Sequence, residues 1–242
     1  MAKTVMIGIP AADAKVGILT LTSINYALME AKSQGWNVKF SIKGNDSILP
    51  RARNVILSRF YESDATDLLF WDADISCAPG DFLKIMSWDL PFVSGAYPAR
   101  AEKDIFLMKG LDGAEVDMNT GLVECEAVGT GFMRIRRDMI ERMIEAEPDE
   151  WATDETATDV GRVYWLMNFT LNKKRRLIVG EDFGFCQKWR NLGGKVMVDT
   201  NLTLSHSGSK LYTGNLFERM KREQEMEAER EHRYSEWLEG KP

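Results

Sequence analysis

Apolar and polar residues alternate in a regular way along the first part of the chain. Short unbroken apolar runs predict buried strands, and apolar residues spaced by three and four positions predict helices. Gly35 is placed to end the first of these helices, and Pro50 suits the first turn of the second. The predicted elements are strand 4–9, helix 16–34, strand 36–42, helix 50–62 and strand 68–71. This β-α-β-α-β order predicts a parallel sheet with right-handed crossover connections.

The second part of the chain departs from this alternation. Residues 104–128 contain the turn signals Asp112-Gly113 and Asn119-Thr120-Gly121, which predict short antiparallel strands and therefore a mixed sheet. Residues 147–180 have poor periodicity, which is typical of a lid or partner-binding insertion. The other predicted elements are helix 81–88, strand 91–95, strand 132–135, helix 137–146, a helix opened by 180–184, strand 196–198, a last strand 202–208 and a charged helix beyond 215. We therefore divide the chain into an α/β domain, 1–214, and a charged helical segment, 215–242.

Composition and charge narrow the class of protein. With 242 residues, 44% of them hydrophobic, the chain can bury one large α/β core. A net charge of −6 argues against a globally basic nucleic-acid binder, although a local basic patch can still contact a polyanion. The cysteines Cys77, Cys125 and Cys186 are widely spaced, which suggests reduced thiols and a cytoplasmic location. No apolar run reaches the ~20 residues needed to cross a bilayer, so we expect no membrane span.

Two carboxylates follow the apolar strand 68–71. Asp72 and Asp74 are two positions apart, so both side chains leave on one side of the strand end if the backbone stays extended through Ala73. Ligands of α/β sheets gather outside the carboxyl ends of the strands, and a hard divalent cation is the simplest partner for two carboxylates. The alternative is that both aspartates serve only as turn or cap residues before the turn at 79–81.

Three further motifs carry candidate chemistry, and each has a plain structural alternative. Gly129-Thr130-Gly131 allows the backbone to approach a ligand closely, or forms a simple bulge. Glu181-Asp182 opens a helix, where the helix dipole holds a carboxylate ionised and fit to act as a base, or where a carboxylate serves as a cap. His206 lies in the predicted strand 202–208, and an isolated histidine is usually structural.

Two basic clusters are candidate phosphate contacts. Arg51 and Arg53 open helix 50–62, and arginine is well suited to bind phosphate oxygens, although both side chains could be solvated surface charges. A concentrated basic run lies further along the chain and comprises Lys173, Lys174, Arg175 and Arg176. This run can contact the phosphates of an acceptor or of a nucleic acid, or it can form the solvated tip of a hairpin.

Four motifs, taken in their order along the chain, resemble those of GT-A fold glycosyltransferases. They are the aspartate pair, the glycine loop 129–131, Glu181-Asp182 and His206. That superfamily carries an Asp-x-Asp metal motif at a strand end, a glycine loop under the acceptor site, an x-Glu-Asp motif opening a helix and a C-terminal histidine. The resemblance spans nearly the whole chain and implies a Rossmann-like three-layer α/β/α fold with a mixed, mostly parallel central sheet. A finer similarity to a virus- and phage-encoded branch lies in segments 50–54, 69–75, 94–98, 129–132 and 181–186.

The resemblance implies metal-dependent transfer of a sugar from a nucleoside-diphosphate sugar, with a UDP-sugar as the expected donor, to an acceptor hydroxyl. Asp72, Asp74 and His206 would hold Mn²⁺ or Mg²⁺, and the imidazole ligand favours manganese. Asp182 matches the catalytic base of inverting members, and Glu181 would contact the acceptor or the sugar. A retaining reaction would give Asp182 a different role.

The resemblance also implies where the donor and the acceptor bind. The nucleoside and diphosphate contacts would be Pro10, Asp46, Arg51, Arg53 and Asp72. The acceptor side would comprise the insertion 147–180 with Tyr97, Gly129, Thr130, Gly131, Lys173, Lys174, Arg175 and Arg176. The acceptor would be a glycan or, within the viral branch, a modified base such as that of hydroxymethylated phage DNA. The C-terminal helix can pack on the domain or pair two chains into an oligomer.

Two other functions stay open from the sequence. Haloacid-dehalogenase-type phosphatases also place Asp-x-Asp after an apolar strand, which would make Asp72 a nucleophile. Their aspartates normally follow the first strand, whereas a complete β-α-β-α unit precedes Asp72 here. The non-enzymatic alternative is a nucleotide-sugar or glycan-binding module without turnover. Hydrolysis of a nucleotide sugar in the presence of Mn²⁺ would distinguish that module from an enzyme.

Overall fold

The computed structural model describes residues 3–101, 105–173 and 176–238. The strands are β1 (Thr4–Ala11), β2 (Asn37–Gly44), β3 (Asp67–Trp71), β4 (Ile75–Cys77), β5 (Phe92–Gly95), β6 (Met108–Gly110), β7 (Leu122–Val128), β8 (Phe132–Arg136), β9 (Trp151–Ala152), β10 (Val163–Tyr164), β11 (Thr170–Asn172), β12 (Leu177–Val179), β13 (Val196–Asp199), β14 (Thr203–Ser207) and β15 (Leu211–Asn215). The helices are α1 (Ile18–Ser33), α2 (Leu49–Glu62), α3 (Asp81–Ser87), α4 (Arg137–Ala146), α5 (Glu181–Asn191) and α6 (Leu216–Leu238).

The central sheet is mixed but mostly parallel. Within the described residues it has eight strands in the order β2-β1-β3-β8-β5-β13-β7-β6. β1 pairs in parallel with β2 and β3, and β13 pairs in parallel with β5. β8 lies antiparallel between β3 and β5, and β7 runs antiparallel to β13. The carboxyl ends of β1, β3 and β5 therefore meet at one edge of the sheet, where ligands of α/β proteins bind.

Helices cover both faces of this sheet because residues along each strand alternate between two apolar sides. Leu69 and Trp71 of β3 pack in a cluster with residues of α1 and α3. Leu68 and Phe70 pack in a second cluster with residues of α2, α4 and α5. All four side chains are fully buried. The structure is therefore a three-layer α/β/α arrangement, and the predicted fold class is confirmed.

The predicted last strand is not the last. β14 occupies most of the predicted range 202–208, but β15 follows it and pairs antiparallel with it. β14 also pairs with the short strand β4, which gives a three-stranded sheet in the order β15-β14-β4. Neither β4 nor β15 shows a clear apolar alternation, because cross-strand pairing rather than local sequence stabilises such short strands.

The insertion 147–180 forms two small hairpins, β9–β10 and β11–β12. The segment around the first hairpin packs on α2, where Val55 joins Ala157, Val160 and Val163 in a small buried cluster. Lys43 at the end of β2 donates to the carbonyl of Thr156 at 3.2 Å. The first half of the insertion is therefore fixed to the β2–α2 side of the domain.

The first residue of α6 is buried, and the helix is exposed to solvent further along. Leu216 is 4% exposed, whereas residues 221–231 are exposed. The side chain of Asn215 accepts the N–H of Glu218 at 3.1 Å and caps the first turn of the helix. None of the described helices combines the length and the apolar character that a bilayer crossing requires.

Asp81 joins the start of α3 to β14 through a buried carboxylate. Its Oδ2 accepts the N–H of Ala78 at 3.2 Å and the N–H of Thr203 at 3.0 Å. Burial raises the pKa of Asp81 to about 6. The stability of the folded protein should therefore depend on the protonation of this residue.

Replacing Asp81 with asparagine tests this dependence. An aspartate of the unfolded chain titrates near ~3.9, so the folded state binds this proton more tightly and wild-type stability falls as the pH rises from ~4 to ~6. Asparagine does not titrate, and its Oδ1 still accepts a hydrogen bond. We expect the melting temperature of Asp81→Asn, relative to wild type, to rise across that window and level off above it. A difference that does not change with pH in thermal unfolding would contradict the raised pKa.

Candidate active site

A cavity of about 410 Å³ opens at the carboxyl ends of β1 and β3. Its walls come from the end of β1, the loop between β1 and α1, the start of α2, the turn after β3, and the loop after β5. The lining residues include Pro10, Lys15, Asp72, Asp74 and Arg100. The predicted donor residue Pro10 and both aspartates of the motif thus line the same cavity.

The turn after β3 separates the two aspartates. The expectation of an extended backbone through Ala73 is wrong, because the N–H of Ile75 donates to the carbonyl of Asp72 at 3.1 Å and closes a turn. The N–H of Asp72 donates to the carbonyl of Gly131 at 2.9 Å, which ties this turn to the glycine loop. The carboxylates of Asp72 and Asp74 consequently have different partners.

A buried arginine binds Asp72. The guanidinium of Arg53, which is 3% exposed, donates to both carboxylate oxygens of Asp72 at 3.1 and 3.0 Å and to Oε1 of Glu181 at 2.5 Å. Burial by itself lowers the pKa of Arg53, but the carboxylates of Asp72 and Glu181 outweigh it and hold the pKa above its usual range. Arg53 therefore connects the carboxyl end of β3 to the first turn of α5.

The small sheet β15-β14-β4 brings His206 to Asp74. β4 begins directly after Asp74, and β14 pairs with it so that His206 lies opposite Ile75. The N–H of Ser207 donates to the carbonyl of Asp74 at 2.9 Å. Nε2 of His206 lies 3.5 Å from Oδ2 of Asp74, and Arg100 forms an ion pair with the same oxygen. A residue far along the chain and a residue after β5 thus converge on one carboxylate.

His206 has the ring orientation of a metal ligand. Its Nδ1 lies 3.0 Å from the carbonyl oxygen of Pro98, which can only accept, so Nδ1 carries the hydrogen. Nε2 on the other side of the ring faces Asp74 and is the nitrogen that would be left to bind an ion, the usual arrangement of metal-binding histidines. Two ligands ~2.1 Å from one ion lie about 3.0–3.4 Å apart. The observed 3.5 Å between Nε2 and Oδ2 is close to this range.

Asp72 does not complete a three-residue metal cluster in this arrangement. Among the described residues, no group of three histidines, cysteines or carboxylates is placed to hold a metal ion. Burial raises the pKa of Asp74, but His206 and then Arg100 lower it more, so this carboxylate is held in its ionised form. Asp74 and His206 therefore fit a divalent cation as a pair, with its other ligands coming from substrate and water, as is common at phosphate sites.

Tyr97 fills the space that two glycines leave open. Its hydroxyl accepts the N–H of Gly131 at 3.1 Å, and its ring meets the ring of His206 edge-on at 5.4 Å between centroids. A Cβ at Gly129 or Gly131 would lie 2.6 or 2.7 Å from the Tyr97 side chain, so both positions require glycine. Burial, with a smaller effect of the Asp72 charge, raises the pKa of Tyr97 well above its usual range and keeps its hydroxyl protonated. Thr130 between the glycines is fully buried.

The two carboxylates that open α5 have different surroundings. Glu181 is 6% exposed and shares the guanidinium of Arg53 with Asp72. Oδ1 of Asp182 accepts the N–H of Phe183 at 2.7 Å. Burial, and then the negative charge of Glu181, raise the pKa of Asp182 above its ordinary value, although the Phe183 N–H and Arg53 oppose this. The expected effect of the helix dipole, which favours the ionised form, is therefore outweighed by burial, and Asp182 has a raised proton affinity, as a general base requires.

Two predicted donor contacts pair with each other. Nε and Nη2 of Arg51 donate to the two carboxylate oxygens of Asp46 at 2.8 and 2.9 Å. Asp46 is 2% exposed and also accepts the N–H of Ile48 at 3.0 Å. This pair braces the loop between β2 and α2 next to the cavity. Its predicted contact with a nucleotide stays a prediction.

The hairpin β11–β12 carries the described part of the basic run. Lys173 and Arg176 are exposed at its turn, whereas Lys174 and Arg175 lie outside the described residues. The hairpin borders a second cavity of about 500 Å³, whose other walls include Phe183 of α5. The basic run is therefore on the α5 side of the molecule, near the helix that begins with Glu181 and Asp182.

The structure adds two cavity residues that the motifs do not reveal. Arg100 pairs with Asp74, and Nζ of Lys15 lies 3.3 Å from Oδ2 of Asp13. Both cations lie in loops that follow strands of the parallel part of the sheet. A search for basic residues in loops at the carboxyl ends of predicted parallel strands would have found them, because those loops meet at one edge.

Among the solved structures that align with this chain, A197 from STIV shares its fold. The crystal structure of A197 from STIV aligns with 88% of this chain and 94% of its own, with a TM-score of 0.54 and 17% identity. A glycosyltransferase involved in the glycosylation of the major capsid of PBCV-1 aligns with 61% of this chain and 68% of its own, with a TM-score of 0.33 and 10% identity. S. aureus TarS 1-349 aligns with 87% of this chain and 59% of its own, with a TM-score of 0.39 and 14% identity.

The chain is thus a three-layer α/β/α protein with its polar site at the carboxyl edge of the sheet. Its fold is shared over most of its length with A197 from STIV. No protein-family model matches the sequence, and no curated protein matches it.

Proposed function

We propose that this protein is a metal-dependent glycosyltransferase that moves a sugar from a nucleoside-diphosphate sugar to an acceptor hydroxyl, with inversion at the anomeric carbon. The observation that carries the proposal is the meeting of Asp74 and His206 at the cavity, 3.5 Å apart. Arg53 joins the Asp72 side of this cavity to Glu181, the neighbour of Asp182. Asp72, which lines the cavity, is thus linked through Arg53 to the residue next to the candidate base.

Asp74 and His206 would hold the cation, and their carboxylate and imidazole donors suit Mn²⁺ better than Mg²⁺. When bound, the ion supplies positive charge to the leaving diphosphate, where negative charge develops as the glycosidic bond breaks. A UDP-sugar is the expected donor. Pro10 would lie on its nucleoside side, since it lines the cavity at the end of β1. The Asp46–Arg51 pair would lie beside it, since Leu49 at the start of α2 also lines the cavity.

Asp182 is the proposed base. The acceptor hydroxyl must lose its proton as it attacks the anomeric carbon, and a carboxylate within ~3 Å can take that proton. Glu181 is less suited to this role because Arg53 binds its Oε1. A glycan and a hydroxymethylated DNA base both present such a hydroxyl. Lys173 and Arg176 would contact the phosphates of a DNA acceptor.

The phosphatase alternative is disfavoured by the surroundings of Asp72. A nucleophilic carboxylate needs a free oxygen in line with the phosphorus atom. Both oxygens of Asp72 accept hydrogen bonds from the buried Arg53, at 3.1 and 3.0 Å. A nucleophilic Asp72 would have to break this bidentate pair.

Turnover of nucleotide sugars tests the proposal. The protein is incubated with Mn²⁺ and a panel of nucleotide sugars that includes UDP-sugars. We expect it to release nucleoside diphosphate from at least one of them. A chelator should stop this release. Replacing His206 with glutamine removes the nitrogen ligand, so the Mn²⁺ concentration for half-maximal activity should rise at least about tenfold. His232→Gln changes the other histidine, in α6, and should leave that concentration unchanged.

Two results would count against the proposed function. A panel without any turnover would favour a binding module. Turnover that resists both chelation and His206→Gln would remove the metal from the proposal while leaving the transfer reaction intact.

A further inference from the structure

We infer that Arg100 changes partners during the reaction cycle: it neutralises Asp74 in the unliganded protein and binds the donor diphosphate when the metal takes its place at Asp74. This inference rests on the proposed function for the identity of the donor. It assigns a diphosphate contact to a residue outside the Asp-x-Asp, Glu-Asp and histidine motifs.

The first observation is competition for one oxygen. The guanidinium of Arg100 forms an ion pair with Oδ2 of Asp74, and Nε2 of His206 faces the same oxygen at 3.5 Å. A divalent ion held by Asp74 and His206 would occupy the space next to this oxygen. Two cations at one carboxylate oxygen repel each other, so metal binding and the Arg100 ion pair oppose each other.

The second observation is that the side chain of Arg100 is partly exposed at the cavity, where no tight packing holds it to one partner. Its side chain is 46% exposed, in contrast to the 3% exposed side chain of Arg53. Its aliphatic part lies against Gly208, where a Cβ would come within 3.0 Å of Cδ. The stem is therefore placed against β14 and its following turn, while the guanidinium reaches the open cavity that Pro10 and Lys15 also line.

The third observation is the balance of charge. Arg53 is shared by the carboxylates of Asp72 and Glu181, and Lys15 is paired with Asp13, so Arg100 is the cation that pairs with Asp74 at the cavity. A nucleoside-diphosphate sugar carries two negative charges on its diphosphate, so the site with Asp74 would hold three, which Mn²⁺ and the guanidinium of Arg100 together would balance. When the sugar leaves, the diphosphate gains a further negative charge, which strengthens its bidentate contact with Arg100.

Binding measurements on Arg100→Ala separate this role from a structural one. Isothermal titration with Mn²⁺ alone should show tighter binding to the variant, by about threefold or more, because a competing cation is gone. Titration with inorganic pyrophosphate at saturating Mn²⁺ should show weaker binding, by about 10- to 100-fold, because a charged hydrogen-bond donor is lost. A residue that only maintains the local structure would weaken both.

Two further variants sharpen the comparison. Arg162 is exposed and stacks on Trp151, 4.5 Å from the ring centroid, so Arg162→Ala removes one positive charge away from the cavity and should change neither affinity. Arg100→Lys keeps the charge but not the planar fork, so it should keep the Mn²⁺ affinity of wild type and show an intermediate pyrophosphate affinity. This variant also serves if Arg100→Ala does not fold.

The outcomes for Arg100 and for the proposed function can be told apart. Unchanged pyrophosphate affinity in Arg100→Ala, or Mn²⁺ binding that does not become tighter, overturns the partner change even if nucleotide sugars are turned over. Opposite shifts of the two affinities support the partner change even if no nucleotide sugar in the panel reacts, since neither titration requires turnover. A wild-type protein that binds neither Mn²⁺ nor pyrophosphate overturns it as well.

Discussion

Replacing Asp182 with asparagine is expected to lower kcat for sugar transfer by about 10²–10⁴-fold, the usual contribution of a general base. Asparagine keeps the size of the side chain and can still accept the N–H of Phe183, so the start of α5 should be preserved. Donor binding should change little, because the donor diphosphate is expected at Asp74 and His206. The measurement is kcat, with the Kd of the nucleoside diphosphate as the second readout.

The pH profile gives an independent test of Asp182. The base must be ionised, so activity is lost as the pH falls through its pKa. Because burial and Glu181 raise that pKa, the acidic limb of wild-type kcat should lie above the ordinary aspartate range near ~3.9. The limb should disappear from the residual activity of Asp182→Asn. Glu145→Gln, an exposed carboxylate on α4, is the control that should leave the profile unchanged. Wild-type turnover by Asp182→Asn would exclude the residue as the base.

Replacing Arg53 with methionine is expected to destabilise the fold by about 3–5 kcal/mol, the usual effect of removing one partner from a buried ion pair. The variant leaves Asp72 and the buried Glu181 without the cation that they share. For a chain of this size such a loss corresponds to a fall in melting temperature of roughly 6–20 °C. Chemical denaturation and thermal unfolding measure both quantities.

Two comparisons show whether the effect comes from the buried network. Arg59→Met changes another arginine of α2, whose partner Asp159 is 58% exposed, and should cost less than about 1 kcal/mol. Adding Glu181→Gln to Arg53→Met removes one uncompensated charge and should restore part of the lost stability, which a double-mutant cycle quantifies. An Arg53→Met protein as stable as wild type would show that the ion pairs of Arg53 contribute little to the free energy of unfolding.

Much of the scaffold could be predicted from local sequence. The apolar runs that become β1 and β3, the helix signals that become α1 and α2, and the limits of α4 follow from periodicity and from capping residues. These features are local because each depends on residues a few positions apart. β15 escaped prediction because it is stabilised by pairing with β14, and β14 in turn by pairing with β4.

The candidate site could be predicted only in part from the sequence. The residue types at Asp72, Asp74, Asp182 and His206 suggested their chemistry, since carboxylates and imidazole are common ligands and bases. The sequence did not show that Arg53 binds Asp72 and Glu181 together, because its contact with Glu181 spans 128 positions. Its loop position made Arg100 a candidate cavity residue, but its role depends on its contact with Asp74, which the sequence does not show.

The sequence by itself determined the fold class, the order of most elements and the kinds of groups available for chemistry, because apolar spacing and side-chain type are properties of short segments. Tertiary structure decided which groups meet. The turn at Ala73 directs Asp72 to Arg53 and Asp74 to His206, and the pairing of β14 with β4 sets the 3.5 Å between that histidine and its carboxylate. Such distances depend on strand register between distant segments, which no local pattern encodes.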